Sequence, residues 1–247
     1  MLSRVLNGLY APVAAMVFVA VTFVVCLLVI AGPTLAIRRE TGRLGVRLML
    51  LCVGVPLIVR MRGRLPHGRC IVVANHASYL DGLVMTAALP RSYSFVVQDG
   101  AADWPLVGLT LRRMGVIFVD RDSAHKSAQL TRQLMRRLHN GDPIAIFPEG
   151  TFKPEPGVLR FKDGAFLMAA RTATPVVPVG IRGTRRLYGG GRRLPRWSIV
   201  RVVFGRPLRP HATDREAALR LRERARRRVL ALCAEPDRAP RRAEASA

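Results

Sequence analysis

A long apolar segment without charges, near the start of the chain, most constrains how this protein can fold. No charged residue occurs between Arg4 and Arg38, and residues 11–30 are mostly Ala, Val, Leu, Met and Phe. A stretch of this length can cross the hydrocarbon core of a bilayer as a helix. A cleaved signal peptide has a shorter apolar region followed by a small-residue cleavage site, for which Ala31-Gly32 is a weak match. The segment therefore predicts a membrane anchor rather than a secretion signal.

The chain is strongly basic, and arginine supplies most of the positive charge. The formal net charge is +24, because 40 Lys and Arg outnumber 16 Asp and Glu. Such a charge indicates an anionic partner, which is nucleic acid, an acidic bilayer surface or a phosphorylated substrate. The apolar segment favours an anionic membrane surface, while the aromatic content of 6% and the lack of a nucleic-acid motif argue against nucleic acid. A non-catalytic basic protein that binds a membrane surface or nucleic acid stays open as the alternative of another class.

The arginines around the apolar segment predict its orientation. Four arginines lie between residues 38 and 47, whereas Arg4 alone precedes the segment. Because Lys and Arg are enriched in cytoplasmic loops, we expect the rest of the chain on the cytoplasmic side of the inner membrane. A second apolar stretch at 48–59 is too short to span a bilayer and contains a glycine and a proline. It is interpreted as an interfacial or re-entrant helix, with a core helix of the folded domain as the alternative.

Composition divides the chain into three parts. Residues 1–60 hold the apolar segments that we expect to form membrane-anchoring helices, and residues 61–234 are long enough for one folded domain. Residues 235–247 are rich in Pro, Arg and Ala without periodicity, which predicts a disordered basic tail. The four cysteines form no C-x-x-C pair, so neither a metal site nor a disulfide framework is predicted.

From residue 69 onward, short apolar runs rich in β-branched residues alternate with helical stretches. This alternation predicts an α/β domain with a mixed, largely parallel sheet flanked by helices. The predicted strands are 70–74, 94–97, 116–119, 143–147, 176–181 and 198–204, and the predicted helices are 79–89, 104–113, 123–139, 163–172 and 213–233.

The segment 71–81 carries the first candidate catalytic pair. A buried strand runs into the polar turn that contains His76, and Ser78 can cap the next helix, with Asp81 in its first turn. The Asp81 carboxylate can then bind the His76 ring, fix its tautomer and stabilise the imidazolium that forms when His76 removes a proton. The alternative is that Asp81 completes a capping box and His76 is an ordinary turn residue.

Two further strands end in residues suited to substrate binding. Residues 115–121 deliver Arg121 to the C-terminal end of a strand, where α/β sheets commonly bind ligands and a guanidinium can grip phosphate. The next strand ends in an abrupt turn, where Glu149, Gly150 and Thr151 present a carboxylate, main-chain amides and a hydroxyl. Taken singly, each block is equally well explained as a turn or as surface residues.

In their order along the chain, these blocks resemble the glycerolipid acyltransferase family that includes the lysophosphatidic acid acyltransferases. The family's first block, asparagine-histidine followed by four residues and aspartate, is matched by Asn75, His76 and Asp81. An arginine after an apolar strand, the sequence Phe-Pro-Glu-Gly-Thr and a Val-Pro-Val strand follow in the family, and they are matched by 115–121, 147–151 and 177–179. The resemblance extends over about residues 65–210.

The resemblance implies a glycerol-3-phosphate acyltransferase-like fold and transfer of a fatty acyl group to the sn-2 hydroxyl of lysophosphatidate. The product is phosphatidate, in membrane phospholipid synthesis. The acyl donor is a thioester of coenzyme A or acyl carrier protein, and no cofactor is needed. The resemblance implies that His76 is the general base and Asp81 its orienting partner, and that the acceptor is bound by Arg121, Glu149, Gly150 and Thr151.

The chain departs from the family in two places. Members often carry a lysine after the strand that follows the His-Asp helix, whereas residues 95–100 include no basic residue. Many lysophosphatidate enzymes continue Phe-Pro-Glu-Gly-Thr with Arg-Ser, whereas Phe152 and Lys153 follow here. Lys153, Arg160 or Lys162 are candidates for the phosphate contacts. The alternative acceptor is another lysolipid, such as a lyso-ornithine lipid or a lysophospholipid.

Overall fold

The chain begins with a helical hairpin. A computed structural model describes residues 2–119, 124–189 and 194–239, and its first elements are α1 (Leu2–Ala31) and α2 (Leu35–Cys52). The Thr34 hydroxyl accepts a hydrogen bond of 3.3 Å from the main-chain N–H of Ile37 and so caps α2. Within the described residues, α1 is the one helix long and apolar enough to cross a membrane, since its segment Tyr10–Ala31 reaches a mean hydropathy of 3.1.

A mixed sheet forms the centre of the rest of the chain. Its strands, in the part of the chain that the structure describes, are β1 (Leu57–Met61), β2 (Ile71–Ala74), β3 (Ser94–Gln98), β4 (Ile117–Val119), β5 (Ile144–Ile146), β6 (Val176–Arg182) and β7 (Val200–Phe204). They lie in the order β1-β7-β6-β2-β5-β3-β4, and neighbours are parallel except for the antiparallel pair β6 and β7. The predicted α/β class with a mixed, largely parallel sheet is confirmed.

Helices cover both faces of this sheet. They are α3 (Asp81–Ala88), α4 (Pro105–Arg113), α5 (Ala124–His139), α6 (Gly164–Arg171), α7 (Thr184–Tyr188) and α8 (Arg215–Cys233). Side chains alternate along a strand, so Val72 and Ala74 of β2 pack with α2 and α3 on one face. Ile71 and Val73 pack with α5, α6 and α8 on the other face. Helix α2 is therefore part of the domain core as well as half of the N-terminal hairpin.

The apolar stretch 48–59 is not one helix, so the predicted interfacial or re-entrant helix there is wrong. Helix α2 ends at Cys52, and Gly54 follows with φ +64°. After Pro56 the chain continues as β1, which pairs in parallel with β7. The prediction failed because a short apolar run cannot be assigned to strand or helix by periodicity alone. The sheet therefore begins inside the predicted anchoring region.

Residues 235–239, predicted as the start of a disordered tail, run alongside the main chain of Val158. The N–H of Val158 donates to the carbonyl of Pro236 (2.9 Å), and the N–H of Arg238 donates to the carbonyl of Val158 (3.1 Å). For these five residues the predicted disorder is wrong, because the tail composition said nothing about a main-chain partner elsewhere in the sequence. Residues 240–247 lie outside the described residues.

Candidate active site

The sheet topology brings His76 and Glu149 together. Strand β5 lies beside β2 in parallel register, with Val73 opposite Ile146, so the residues that follow both strands meet at one edge of the sheet. The main-chain N–H of His76 donates to Glu149 Oε1 at 2.7 Å. On the other side of β2, the Asn75 side chain accepts from the N–H of Ile181 (2.7 Å) and donates to its carbonyl (3.1 Å). The turn after β2 is therefore fixed to both neighbouring strands.

The structure places the His76 and Asp81 side chains in direct contact. His76 Nδ1 lies 2.9 Å from Asp81 Oδ2, and the same oxygen accepts from the main-chain N–H groups of Ala77 (2.6 Å) and Ser78 (2.7 Å). Asp81 is fully buried, and its Oδ1 has no hydrogen-bond partner among the described residues. Asp81 is the first residue of α3, so its carboxylate lies at the positive end of the helix dipole.

The expected helix cap at Ser78 is wrong in detail. Helix α3 begins at Asp81, its N-terminal flanking residue is Leu80, and no side chain caps it. The Ser78 hydroxyl instead accepts from the N–H of Leu80 (3.1 Å) and donates to the carbonyl of Tyr188. The Asp81 carboxylate reaches back to accept from the N–H groups of Ala77 and Ser78 in the turn before α3. The same carboxylate therefore fixes this turn and holds the His76 imidazole.

Aromatic side chains enclose the His76 ring. The Phe147 ring stacks on it, with centroids 4.4 Å apart and an interplanar angle of 16°. Phe152 meets the imidazole edge-on at 4.8 Å, and the exposed Tyr79 packs edge-on against Phe152 at 4.6 Å. The His76 side chain keeps 18% of its surface exposed. Sequence reasoning missed these ring contacts, since Phe147 was seen only as part of its motif and Phe152 only as a departure from the family.

Both carboxylate oxygens of Glu149 accept hydrogen bonds from main-chain N–H groups of the site. Oε1 accepts from His76, and Oε2 accepts from the main-chain N–H of Leu159 at 2.6 Å. The pKa of Glu149 is raised to about 7, chiefly by burial; the N–H donors of Leu159 and His76 oppose this rise, the Asp81 charge adds to it and the Arg185 charge opposes it. Glu149 is 4% exposed. These contacts give Glu149 a structural function within the turn, and its predicted contact with the acceptor stays a prediction.

The turn after Glu149 brings a lysine to the site. Gly150 has φ +77°, and a Cβ there would lie 2.7 Å from Cε and 2.9 Å from Nζ of Lys162. A residue with a side chain would therefore be strained and would displace the lysine. The N–H of Lys162 also donates to the carbonyl of Pro148 at 2.8 Å. Thr151 is exposed. Lys162, one of the three cations proposed from sequence, therefore lies against the turn at Gly150.

The remaining predicted residue, Arg121, lies outside the described residues. Strand β4, which leads toward it, lies at the edge of the sheet, with β3 and β5 between β4 and β2. Among the described residues, no group of three or more His, Cys, Asp or Glu side chains is arranged to hold a metal ion.

Comparisons with known proteins agree with this fold and cover the residues of the candidate site. The model of the Acyltransferase family matches residues 57–182, which begin at β1 and end with β6. The chain is 31% identical to the chloroplastic 1-acyl-sn-glycerol-3-phosphate acyltransferase BAT2 of Brassica napus over 56% of this chain and 40% of the relative. It is 27% identical to LPAT1, the chloroplastic 1-acyl-sn-glycerol-3-phosphate acyltransferase of Arabidopsis thaliana, over 86% of this chain and 62% of the relative.

A bacterial relative and a solved structure are also similar to this chain. The chain is 31% identical to the lyso-ornithine lipid O-acyltransferase of Rhizobium meliloti over 68% of this chain and 60% of the relative. The crystal structure of the 1-acyl-sn-glycerophosphate (LPA) acyltransferase PlsC from Thermotoga maritima has the same fold, with a TM-score of 0.73, 22% identity and coverage of 92% of this chain and 94% of that chain. The chain spans 40%, 62% and 60% of the three curated relatives. The family match and the fold together show that the chain belongs to the acyltransferase family.

Proposed function

We propose that this protein transfers a fatty acyl group from an acyl thioester to the sn-2 hydroxyl of lysophosphatidate, giving phosphatidate. The observation that carries the proposal is the contact of 2.9 Å between the His76 ring and the buried Asp81 carboxylate. This pair lies at the C-terminal edge of the sheet, in the segment that the family model matches. Relatives named as 1-acyl-sn-glycerol-3-phosphate acyltransferases support the choice of acceptor.

In the proposed mechanism, His76 acts as a general base. Its Nδ1–H donates to the ionised Asp81 carboxylate, which leaves Nε2 as the ring nitrogen that accepts the proton of the acceptor hydroxyl. The hydroxyl oxygen forms a bond to the thioester carbonyl carbon, and the resulting tetrahedral intermediate breaks its C–S bond. The departing thiolate takes the proton back from the imidazolium, so His76 is regenerated. No serine or cysteine nucleophile, acyl-enzyme or bound cofactor is required.

The acceptor phosphate needs a cation close to this base. The Lys162 side chain lies against Gly150, in the turn that directly follows Glu149, and Thr151 is exposed beside it. We assign phosphate binding to Lys162, to the exposed Thr151 hydroxyl and to Arg121, because an ammonium and a guanidinium both donate to phosphate oxygens. Lys162 then takes the place of the basic residue that the sequence lacks at 95–100.

A second candidate acceptor is a lyso-ornithine lipid. The lyso-ornithine lipid O-acyltransferases of Rhizobium meliloti and Pseudomonas aeruginosa are both 31% identical to this chain over the matched residues. The chain also lacks the lysine that family members often carry after the strand following the His-Asp helix. Each acceptor offers a hydroxyl for His76 to deprotonate, but lysophosphatidate carries a phosphate monoester, whereas a lyso-ornithine lipid carries an amino-acid headgroup without phosphate.

A panel of lysolipids separates these functions. The purified protein would be assayed with lysophosphatidate, a lyso-ornithine lipid and lysophospholipids that carry larger headgroups, each with acyl-CoA and with acyl carrier protein as donor. We expect the highest kcat/KM with lysophosphatidate, because a free phosphate monoester offers the most negative charge to Lys162. Absence of lysophosphatidate turnover would exclude the leading proposal, and turnover of the lyso-ornithine lipid in its place would establish the second.

We also propose that α1 anchors the protein in the inner membrane, with the α/β domain on the cytoplasmic side. The apolar side chains of α1 are largely exposed, and they include Met16, Val19, Phe23 and Leu28. The arginines between residues 38 and 47 follow α1 directly, as expected for a cytoplasmic flank. We expect the protein to stay in the membrane fraction during a wash in concentrated salt, since apolar burial does not depend on screened charge. Release by salt would show that the positive charge alone holds it there.

A further inference from the structure

The 152–160 loop follows the turn at Glu149 and contacts the His76 ring through Phe152. Glu235, which lies after α8, holds this loop through hydrogen bonds. Arg185 Nη1 donates to the carbonyl of Lys153 at 2.7 Å, and Arg185 Nε lies 2.9 Å from Glu235 Oε1. The second oxygen of Glu235 accepts from the N–H of Gly157 at 2.6 Å. The Arg185 and Glu235 side chains are only 14% and 15% exposed, so this pair is shielded from most of the solvent.

A buried arginine, Arg226, holds the end of the same loop. Arg226 of α8 donates from Nε to the carbonyl of Leu159 (3.0 Å) and from Nη2 to the carbonyl of Val158 (2.9 Å). The Arg226 guanidinium also binds both carboxylate oxygens of Asp237, at 2.9 and 2.5 Å. Arg226 is 5% exposed. The segment 235–238 thus meets the loop through its own main chain and the Glu235 side chain, and Asp237 acts on the loop through Arg226.

The fastened loop reaches the proposed general base by two routes. Through the main chain, the N–H of Leu159 holds Glu149 Oε2, while Glu149 Oε1 holds the N–H of His76. Through the side chains, Phe152 of the loop lies edge-on against the His76 ring. One oxygen of the buried Glu149 side chain binds the loop at Leu159, and the other binds the turn at His76. A displacement of the loop is therefore expected to displace the turn that carries His76.

We propose that the segment 235–238 is a clamp for the active site, in which Glu235 and Asp237, with Arg185 and Arg226, act as positioning residues. The clamp holds the 152–160 loop so that the His76 imidazole keeps its place for proton transfer. This inference rests on the proposed function, because the clamp can change the rate of acyl transfer only if His76 is the general base of that reaction. A displacement of about 1 Å in a reacting group can cost about 100-fold in rate. Contacts that hold the loop can therefore affect catalysis by His76 without touching its ring.

Loss of the clamp should change kcat and the hydrogen exchange of the loop, whereas loss of an ordinary stabilising contact should change only the stability of the fold. Asp237 is 53% exposed, and ion pairs with an exposed partner add little to folding stability. Glu235 is only 15% exposed, but without it Arg185 keeps the carbonyls of Lys153 and Pro154 as acceptors. We therefore expect the variants to stay folded, with a lower Tm where Glu235 is removed, while the loop is loosened. The matched control is Glu216, whose ion pair with Arg220 lies on the exposed surface of the same helix that carries Arg226.

The test compares full-length Glu235→Ala, Asp237→Ala, the double variant and the Glu216→Ala control. For each, kcat and KM for acyl transfer, the Tm and hydrogen exchange of the main-chain amides are measured. We expect the double variant to lose at least about tenfold in kcat, with acceptor KM changed less than about threefold. Exchange should accelerate in residues 152–160 and in the turn of His76, while the control matches the wild type in every readout.

Other results overturn the clamp. A rise in KM with unchanged kcat would make the loop a substrate-binding element and not a support for His76. Accelerated exchange in the loop with unchanged kcat, or no change in either, would also exclude the proposal. If the double variant does not fold, the two single variants decide by the same criteria. If the wild type acylates no lysolipid, the proposed function fails, and hydrogen exchange still reports whether the segment holds the turn of His76.

Discussion

Replacing His76 with alanine is expected to lower kcat for acyl transfer by about 10²–10⁴-fold, the range typical of general-base assistance. The substitution removes the ring that lies 2.9 Å from Asp81. It keeps the main-chain N–H that binds Glu149, so the turn and the loop over it should stay in place. The loss can therefore be assigned to the imidazole, and steady-state kinetics of the purified variant measure it.

His67 provides the matched control for this variant. It is exposed in a bend before β2, outside the segments that form the candidate site, so His67→Ala should keep the wild-type kcat. Circular dichroism and the Tm would show that both variants fold. Acyl transfer that survives both His76→Ala and Asp81→Ala would exclude the proposed base. Absence of acyl transfer by the folded wild type would favour the alternative, a basic membrane-surface protein without catalysis.

Replacing Asp81 with asparagine is expected to lower kcat by about 10²-fold or more, because the variant cannot stabilise the imidazolium with a negative charge. The amide has the size of the carboxylate. Its oxygen can still accept from the N–H groups of Ala77 and Ser78, while its NH₂ group takes the side where Oδ1 has no partner. The fold should therefore be kept, and the rate should report the missing charge at the His76 ring.

A second substitution at the same position separates charge from structure. Asp81→Ala also removes the acceptor of two buried N–H groups, so we expect a loss of about 1–3 kcal/mol in the free energy of unfolding as well as in rate. Denaturant unfolding measures this difference. The control is Asp103→Asn, because Asp103 is exposed and is not part of α3. An Asp81→Asn variant with wild-type kcat would show that Asp81 is only a cap for the turn.

Much of the fold could be predicted because it depends on local patterns. Alternating apolar runs and helical stretches indicated the largely parallel sheet, and the order of the motifs indicated which strand ends carry the site. The positions of His76 and Glu149 at neighbouring strand ends follow from parallel pairing of β2 with β5. Strand β1 was missed because its apolar residues directly continue those of α2, and a strand that pairs with the distant β7 leaves no local signal.

The supports of the site could not be predicted, because they join residues far apart in the sequence. Arg185 and Glu235 are separated by 50 residues, and Arg226 meets the carbonyl of Leu159 across 67 residues. A Pro- and Arg-rich composition indicated disorder for the segment that contains Glu235, since composition reports the lack of an apolar core and not the presence of a main-chain partner. The Ser78 cap was wrong because α3 begins only at Asp81, and the Ser78 hydroxyl donates to the carbonyl of Tyr188, which is 110 residues away in the sequence.

A single-turnover experiment tests the central claim, that His76 is the base for direct transfer, most directly. Enzyme in excess is mixed with a radiolabelled acyl donor, with and without lysophosphatidate, for the wild type and His76→Ala. We expect the wild type to form labelled phosphatidate when acceptor is present and no labelled protein when acceptor is absent. The variant should form product about 10²–10⁴-fold more slowly. Label bound covalently to the protein, or an unchanged rate in the variant, would contradict the account.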